Sequence, residues 1–428
     1  MTGFDRPVWV GELEVGGSLG LVGVGGRPVS EYEQARVLVR VHGDPVGFVE
    51  LPVPAGGLTP AAVAEVAWSR LGDGLRAHLV KDGIEFPDVP RPELVGGRDV
   101  CRAAAEGRWE QPLSVVVCTR NRADLLAGCL GSLAGLRYGE FEVVVVDNAP
   151  EDDSTRARFE ELVGGDGRFR YVCEPVAGLS RARNRGLGEV SSSYVAFTDD
   201  DVIVDPWWLH GVARGFGRDP EVGCVTGLVP SACLDTPAQR YFDQRVSWSK
   251  ALRPRLFDLA TRTGDSPLFP FDAGVFGTGA NFAVDRDLVV GLGGFDEALG
   301  AGSPSCGGED LDMFVRVVRA GRALAYEPSA IVWHRHRTTR SGLQRQMHDF
   351  GLALGAYLAK HLRDPAVRTQ LLRRAPRGMR HMVGRWRDGR RGGQRSAGLV
   401  WTEIWGIARG PLAYRRGRRA VREGHPIT

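Results

Sequence analysis

The sequence predicts an α/β protein whose main domain is a Rossmann-like, mostly parallel sheet, and three observations carry that reading. From Pro112 onward, β-branched runs suited to buried strands, PLSVVVCT, FEVVVVDN and SYVAFTDD, alternate with stretches of helical periodicity. That rhythm implies parallel strands joined by right-handed crossovers. Polar clusters follow the strands at Thr119 to Arg122, at Asp147 with Asn148, and at Asp199 to Asp201. Ligands of such sheets bind beyond the carboxyl ends of the strands.

The third cluster organises the rest. In VAFTDDDVIVD, an apolar run ends in Asp199, Asp200 and Asp201 and resumes at Val202. Adjacent carboxylates repel one another and need a counter-charge. Hard oxygen ligands suit Mg²⁺ or Mn²⁺, whose remaining positions take phosphate oxygens. The competing reading is a polar capping turn before a helix opened by Pro206, Trp207 and Trp208.

Four segments are expected along the chain. Residues 1–95 read as a small α+β unit, with the alternating run VWVGELEV, a hairpin about Gly43, Asp44 and Pro45, and a helix capped by Thr59 and Pro60. A linker rich in Pro and Gly covers 96–111, the sheet domain 112–345, and a helical, Arg-rich extension 346–428.

Composition limits the alternatives. With 43% hydrophobic and 25% charged residues in 428, the chain is of ordinary globular type. No run nears the roughly 18 apolar residues of a membrane span, and the N-terminus lacks a signal pattern, so a cytoplasmic location is expected. Seven scattered cysteines without a CxxC pair suggest reduced thiols. Net charge is only +3, yet residues 361–428 hold seventeen Arg against four acids, a local +13 on a body of −10. A basic segment that also carries Trp386, Trp401, Trp405 and Tyr414 suits an anionic membrane surface at the inner face, or else a solvated helical appendage. Nucleic acid is not expected, since the acidic body would be repelled.

Singly, the strand-end clusters read as helix caps and Asx-turns. Together they supply an acceptor for a base or ribose at Asp147, phosphate donors at Arg120 and Arg122, and a metal platform at Asp199 to Asp201. In GLSRARNRG, Arg181 and Arg185 share a helix face while Arg183 points elsewhere. With GTGANFAVDRDLVVGLGGFDE and GGEDLDMFVRVVRAG, these segments resemble glycosyltransferase family 2, over roughly residues 112 to 340 and in the family's order.

The resemblance implies a GT-A fold and an inverting transferase that moves a sugar from a nucleoside diphosphate sugar, UDP- or GDP-linked, to an acceptor hydroxyl, lipid-linked acceptors included. Glycan, polysaccharide or glycolipid synthesis is the expected setting. Carried over, Thr119 and Asp147 contact the nucleoside, Arg183 lies near it or the diphosphate, and Asp199 faces the ribose; Arg122, Asn148, Asn184 and Asp200 complete the donor-binding set. Asp201, the last residue of the DXD motif, binds the divalent metal with Asp199. Asp310 of the ED pair is the base, Glu309 places the acceptor or a loop, and Asp312 is a weaker candidate. His334, ahead of His336, is the expected histidine ligand, and mixed Asp and His ligation favours Mn²⁺ over Mg²⁺. The alternatives are a nucleotidyltransferase, which would want a Gly-rich loop with a Lys where CTRNR stands, and a non-catalytic nucleotide-sugar-binding module.

Overall fold

The computed structural model describes residues 6–16, 19–25, 27–86, 95, 111–246, 249–260, 268–272, 274–374, 376 and 394–423. The expected linker, apart from Gln111, and Trp386 lie outside the described residues.

Strands β1 (Val8–Glu14), β2 (Gly20–Gly23), β3 (Gln34–Val41) and β4 (Asp44–Pro52) form a four-stranded sheet in the order β2-β1-β3-β4. Helix α1 (Pro60–Lys81) starts where the Thr59 hydroxyl accepts from the Ala62 N–H. Strand β3 shows how one sequence serves two faces. Ala35, Val37, Val39 and Val41 lie with Trp68, Leu75 and Leu79 of α1 in one core, whereas Leu38 joins Val8, Val10, Leu228, Ile331 and Trp333 in another. Arg36 and Arg40 share the Leu38 face by the period of two. Each reaches a sheet-domain acid, Arg36 to Asp243 at 2.6 Å and Arg40 to buried Asp205.

The second sheet has nine strands: β5 (Leu113–Thr119), β6 (Phe141–Asn148), β7 (Phe169–Glu174), β8 (Tyr194–Asp199), β9 (Val202–Val204), β10 (Val222–Leu228), β11 (Arg255–Phe257), β12 (Asn281–Asp285) and β13 (Ala323–His334). The order is β11-β13-β10-β12-β8-β5-β6-β7, with β9 on β13. Strands β8, β5, β6 and β7 are parallel, as is the β10–β13 pair. Antiparallel β12 is hydrogen-bonded on both sides, to β8 and β10, so the glycine-rich segment before it leads into the middle of the sheet and not to an edge.

Both faces are covered, which is why these strands read as continuous apolar runs. Val115 and Val117 belong to one core cluster, Val116 and Cys118 to the other. Helices α2 (Ala123–Ala134), α3 (Ser154–Val163), α4 (Leu179–Glu189), α5 (Trp208–Phe216), α6 (Pro237–Arg245), α7 (Arg286–Gly291) and α8 (Glu309–Arg319) pack around them. Helix α9 (Arg340–His361) follows β13, and α10 (Gln394–Glu423) lies along it. Among the described residues, no helix is long and apolar enough to cross a membrane.

Candidate functional site

Strand pairing assembles the site. Antiparallel β9 places Val202 opposite His334, the last residue of β13, so the Asp201 carboxylate meets the His334 Nε2 at 3.2 Å. The Arg335 N–H donates to the Asp201 carbonyl at 3.0 Å and fixes the crossing. Asp199 ends β8, and its carboxylate, that of Asp201 and a His334 ring nitrogen lie within 4.8 Å of one another. Asp200 turns the other way. Its carboxylate accepts from the Thr119 hydroxyl at 2.7 Å and from Arg122 at 3.0 Å, so it braces two donor-side residues.

A relay of hydrogen bonds orients the histidine. The Ser231 hydroxyl donates to Asp243 at 2.8 Å, His336 Nε2 stands 2.9 Å from the Ser231 oxygen, and the Nδ1 atoms of His334 and His336 are 3.0 Å apart. A serine that gives its only proton to Asp243 must accept from His336, which leaves His336 Nδ1 as an acceptor for His334 Nδ1–H. With Nδ1–H committed to His336, Nε2 is the His334 nitrogen that faces the two aspartates and the one a cation would take in exchange for its proton, the arrangement of a histidine ligand held by an outer partner. This donor set fits a divalent cation.

Charge is finely matched here. Burial pushes the Asp199 carboxyl up to about 6, although Arg183 opposes the rise. Burial acts on Asp201 too, but His334 and Arg122 overcome it and hold that carboxyl well below the usual range. Burial disfavours the His334 cation, and Asp201 more than restores it.

On the far side, buried Arg183 joins three groups: Glu309 at 2.7 Å, the Gly279 carbonyl at 3.0 Å and Asp199 at 3.6 Å. Burial raises the Glu309 carboxyl to about 7 against the pull of Arg183, and its Oε2 has no hydrogen-bond partner among the described residues. Asp310 accepts from the Gly279 N–H at 2.7 Å and the Leu311 N–H at 2.8 Å. Thr278 and Ala280, which flank Gly279, line a cavity of about 870 Å³ that also takes in Thr119, Arg122, Asp199, Asp201 and His334. Gly308 caps α8 at φ 90°, a left-handed backbone that sets Glu309 and Asp310 at the helix start.

The remaining expected residues are placed variously. Asp147, beside Thr119 in register, is buried; its Oδ2 accepts from the Tyr171 hydroxyl at 2.7 Å and its Oδ1 has no hydrogen-bond partner among the described residues. Asn148 lines the cavity and brackets the next loop, accepting from Gly178 N–H at 2.8 Å and donating to the Val176 carbonyl at 2.7 Å. Asn184 is not brought to the cavity. Its amide is bonded at both ends to the Phe295 backbone, at 3.0 and 2.8 Å, and so pins the loop before α8. Asp312 is buried against Arg316, Lys360 and His361. Sequence reasoning passed over Arg337 and Arg345, which line the cavity, and Ser231 and Asp243. The string HRHR hinted at Arg337; nothing local marked Ser231 or Asp243, which long-range pairing alone brings together with His336.

Residues 114–276 match the family described as Glycosyl transferase family 2. A pre-mycofactocin glycosyltransferase of Mycobacterium tuberculosis is 31% identical over 234 residues, 54% of this chain and 44% of that protein. An N-acetylglucosaminyltransferase of Rhizobium meliloti is 28% identical over 243 residues, 56% of this chain and 54% of that one. A poly-beta-1,6-N-acetyl-D-glucosamine synthase of Staphylococcus aureus is 22% identical over 238 residues, covering 55% and 52%. The chain thus spans about half the length of these curated relatives. Among solved structures, a mannosyltransferase from Pyrobaculum calidifontis in complex with GDP-Man and Mn²⁺ aligns over 76% of this chain and 81% of that one, with TM-score 0.45 and 19% identity.

Proposed function

We propose, on the premise that the sheet domain belongs to glycosyltransferase family 2, that the protein is a metal-dependent, inverting transferase carrying a sugar from a nucleoside diphosphate sugar to a hydroxyl. The observation that carries the reading is the convergence of Asp199, Asp201 and His334 beside Arg122 in one large cavity beyond the strand ends. Asp199, Asp201 and His334 would hold Mn²⁺ or Mg²⁺, which supplies charge neutralisation to the departing diphosphate. Arg122 and Arg337 stand where they contribute positive charge to the same phosphates. Thr119, steadied by Asp200, lines the cavity toward the nucleoside, with buried Asp147 beside it in register.

Asp310 acts as the base. The acceptor hydroxyl gives its proton to the Asp310 carboxylate while its oxygen bonds the anomeric carbon; the bond to the diphosphate breaks and the nucleoside diphosphate leaves with the electron pair. Displacement from the opposite face inverts the configuration. Glu309 holds Arg183 in place between the base and the cation site. The relatives named as an N-acetylglucosaminyltransferase and as a poly-beta-1,6-N-acetyl-D-glucosamine synthase support an acceptor in glycan, polysaccharide or glycolipid synthesis. Screening UDP- and GDP-sugars for Mn²⁺-dependent hydrolysis tests the reading without an acceptor. Release of nucleoside diphosphate from one donor, abolished by chelator, is expected; chelator-insensitive release, or none from any donor, rejects it.

A further inference from the structure

We infer that the N-terminal unit completes the cation site: Arg36, in its strand β3, is a positioning residue that fixes the direction of the hydrogen bonds ending at His334. This rests on the proposed role of Asp199, Asp201 and His334.

Four contacts connect the two. Arg36 Nη1 meets the Asp243 Oδ2 at 2.6 Å, and Asp243 Oδ1 accepts from the Ser231 hydroxyl at 2.8 Å. Ser231 accepts from His336 Nε2 at 2.9 Å, and the two Nδ1 atoms of His336 and His334 meet at 3.0 Å. Asp243, Ser231 and His336 are all buried, so water does not replace a lost partner cheaply. The direction of the chain depends on its first link. An ionised Asp243 only accepts, and each later group is then forced to hand its proton toward Asp243. Burial works against that ionisation, and Arg36 outweighs it, holding the Asp243 carboxyl below its ordinary range.

Without Arg36 the order can reverse. Ser231 then donates to His336 Nε2, His336 carries its proton on Nδ1, and His334 must turn a bare Nδ1 toward it. In that tautomer the His334 proton sits on Nε2, the atom that faces Asp201, and the ligand lone pair is gone. The arginine comes from a different sheet from the histidine it controls, and apolar contacts of Val8, Val10 and Leu38 with Ile331 and Trp333 hold the two sheets together.

Mn²⁺ titration of the full chain without nucleotide, followed by the EPR signal of free Mn²⁺, tests this. Disturbing an outer partner of a metal ligand weakens affinity roughly 10- to 100-fold. Arg36→Gln and Ser231→Ala are each expected to show that loss while a thermal melt shows both variants still cooperatively folded, and Arg36→Lys is expected to recover most of it. Asp201→Asn controls for the site itself. If wild type and Asp201→Asn bind Mn²⁺ alike, the cation-site reading fails and the relay with it. If Asp201→Asn loses the ion while Arg36→Gln and Ser231→Ala bind it as wild type does, the relay alone is overturned.

Discussion

Asp310 and Glu309 are neighbours with opposite surroundings. Asp310 accepts two backbone N–H groups at the helix start, next to residues that line the cavity. Glu309 is buried under Arg183. Replacing Asp310 by Asn keeps size and polarity and removes the proposed base; transfer measured with donor and acceptor is expected to fall about 10²- to 10⁴-fold while donor binding survives. Full transfer by that variant would take Asp310 out of its role.

Glu327 gives a second test at this scale, on stability. It is fully buried, and although burial opposes its charge, Arg214 at 2.7 Å and Arg218 hold its carboxyl down to about 2 from an ordinary 4.5. A depressed carboxyl stabilises the fold above its unfolded value. The Glu327 contribution should therefore be complete above about pH 4.5 and be lost as pH falls toward 2. Glu327→Gln should lower unfolding free energy in denaturant at pH 7 by about 3–5 kcal/mol and flatten that acid slope. An unchanged slope would show that the pair with Arg214 contributes nothing.

Among the elements, the α9–α10 pair depends on small residues. Contacts advance together along both helices, and a Cβ on Gly410 would stand 2.4 Å from the Ala356 nitrogen and from the Gly355 backbone. Gly410→Val must push the helices apart, at about 1–3 kcal/mol or more in a denaturant melt. A melt equal to wild type would mean that the helices do not touch. The expected appendage is thus a packed element, with Leu399, Val400 and Tyr414 buried.

The same scale shows how far the sequence speaks. Strands such as VVVVDN and the helix EDLDMFVRVVR announce themselves because their apolar period matches their burial. The acidic triplet and His334 stand out in the sequence because metal chemistry restricts residue type, and the fold brings Asp199, Asp201 and His334 together. Asn184 misled: its polar neighbours Arg183 and Arg185 invite a ligand reading, but its amide serves the Phe295 backbone. The roles of Ser231, Asp243 and Arg36 arise only when two separate sheets meet, which no local pattern encodes.

For the whole molecule, charge and exposure on α10 carry a prediction about location. Trp401, Trp405 and Leu412 are more than half exposed, and Arg409, Arg415, Arg416 and Arg419 are exposed on the same helix. We propose that this surface rests on an anionic membrane. Changing Trp401 and Trp405 to Ser leaves the buried face of the helix intact. The double variant should move from pellet to supernatant with vesicles rich in anionic lipid; equal sedimentation would reject the membrane role.

The central claim is that the two aspartates and His334 grip a divalent ion that receives the donor's diphosphate. Calorimetric titration of UDP and GDP, with Mn²⁺ and then with EDTA, examines it most directly. The account predicts that one of the two nucleotides binds wild type and Asp310→Asn only when Mn²⁺ is present, and that Asp201→Asn does not bind it. Binding of equal strength in EDTA, or by Asp201→Asn, would contradict it.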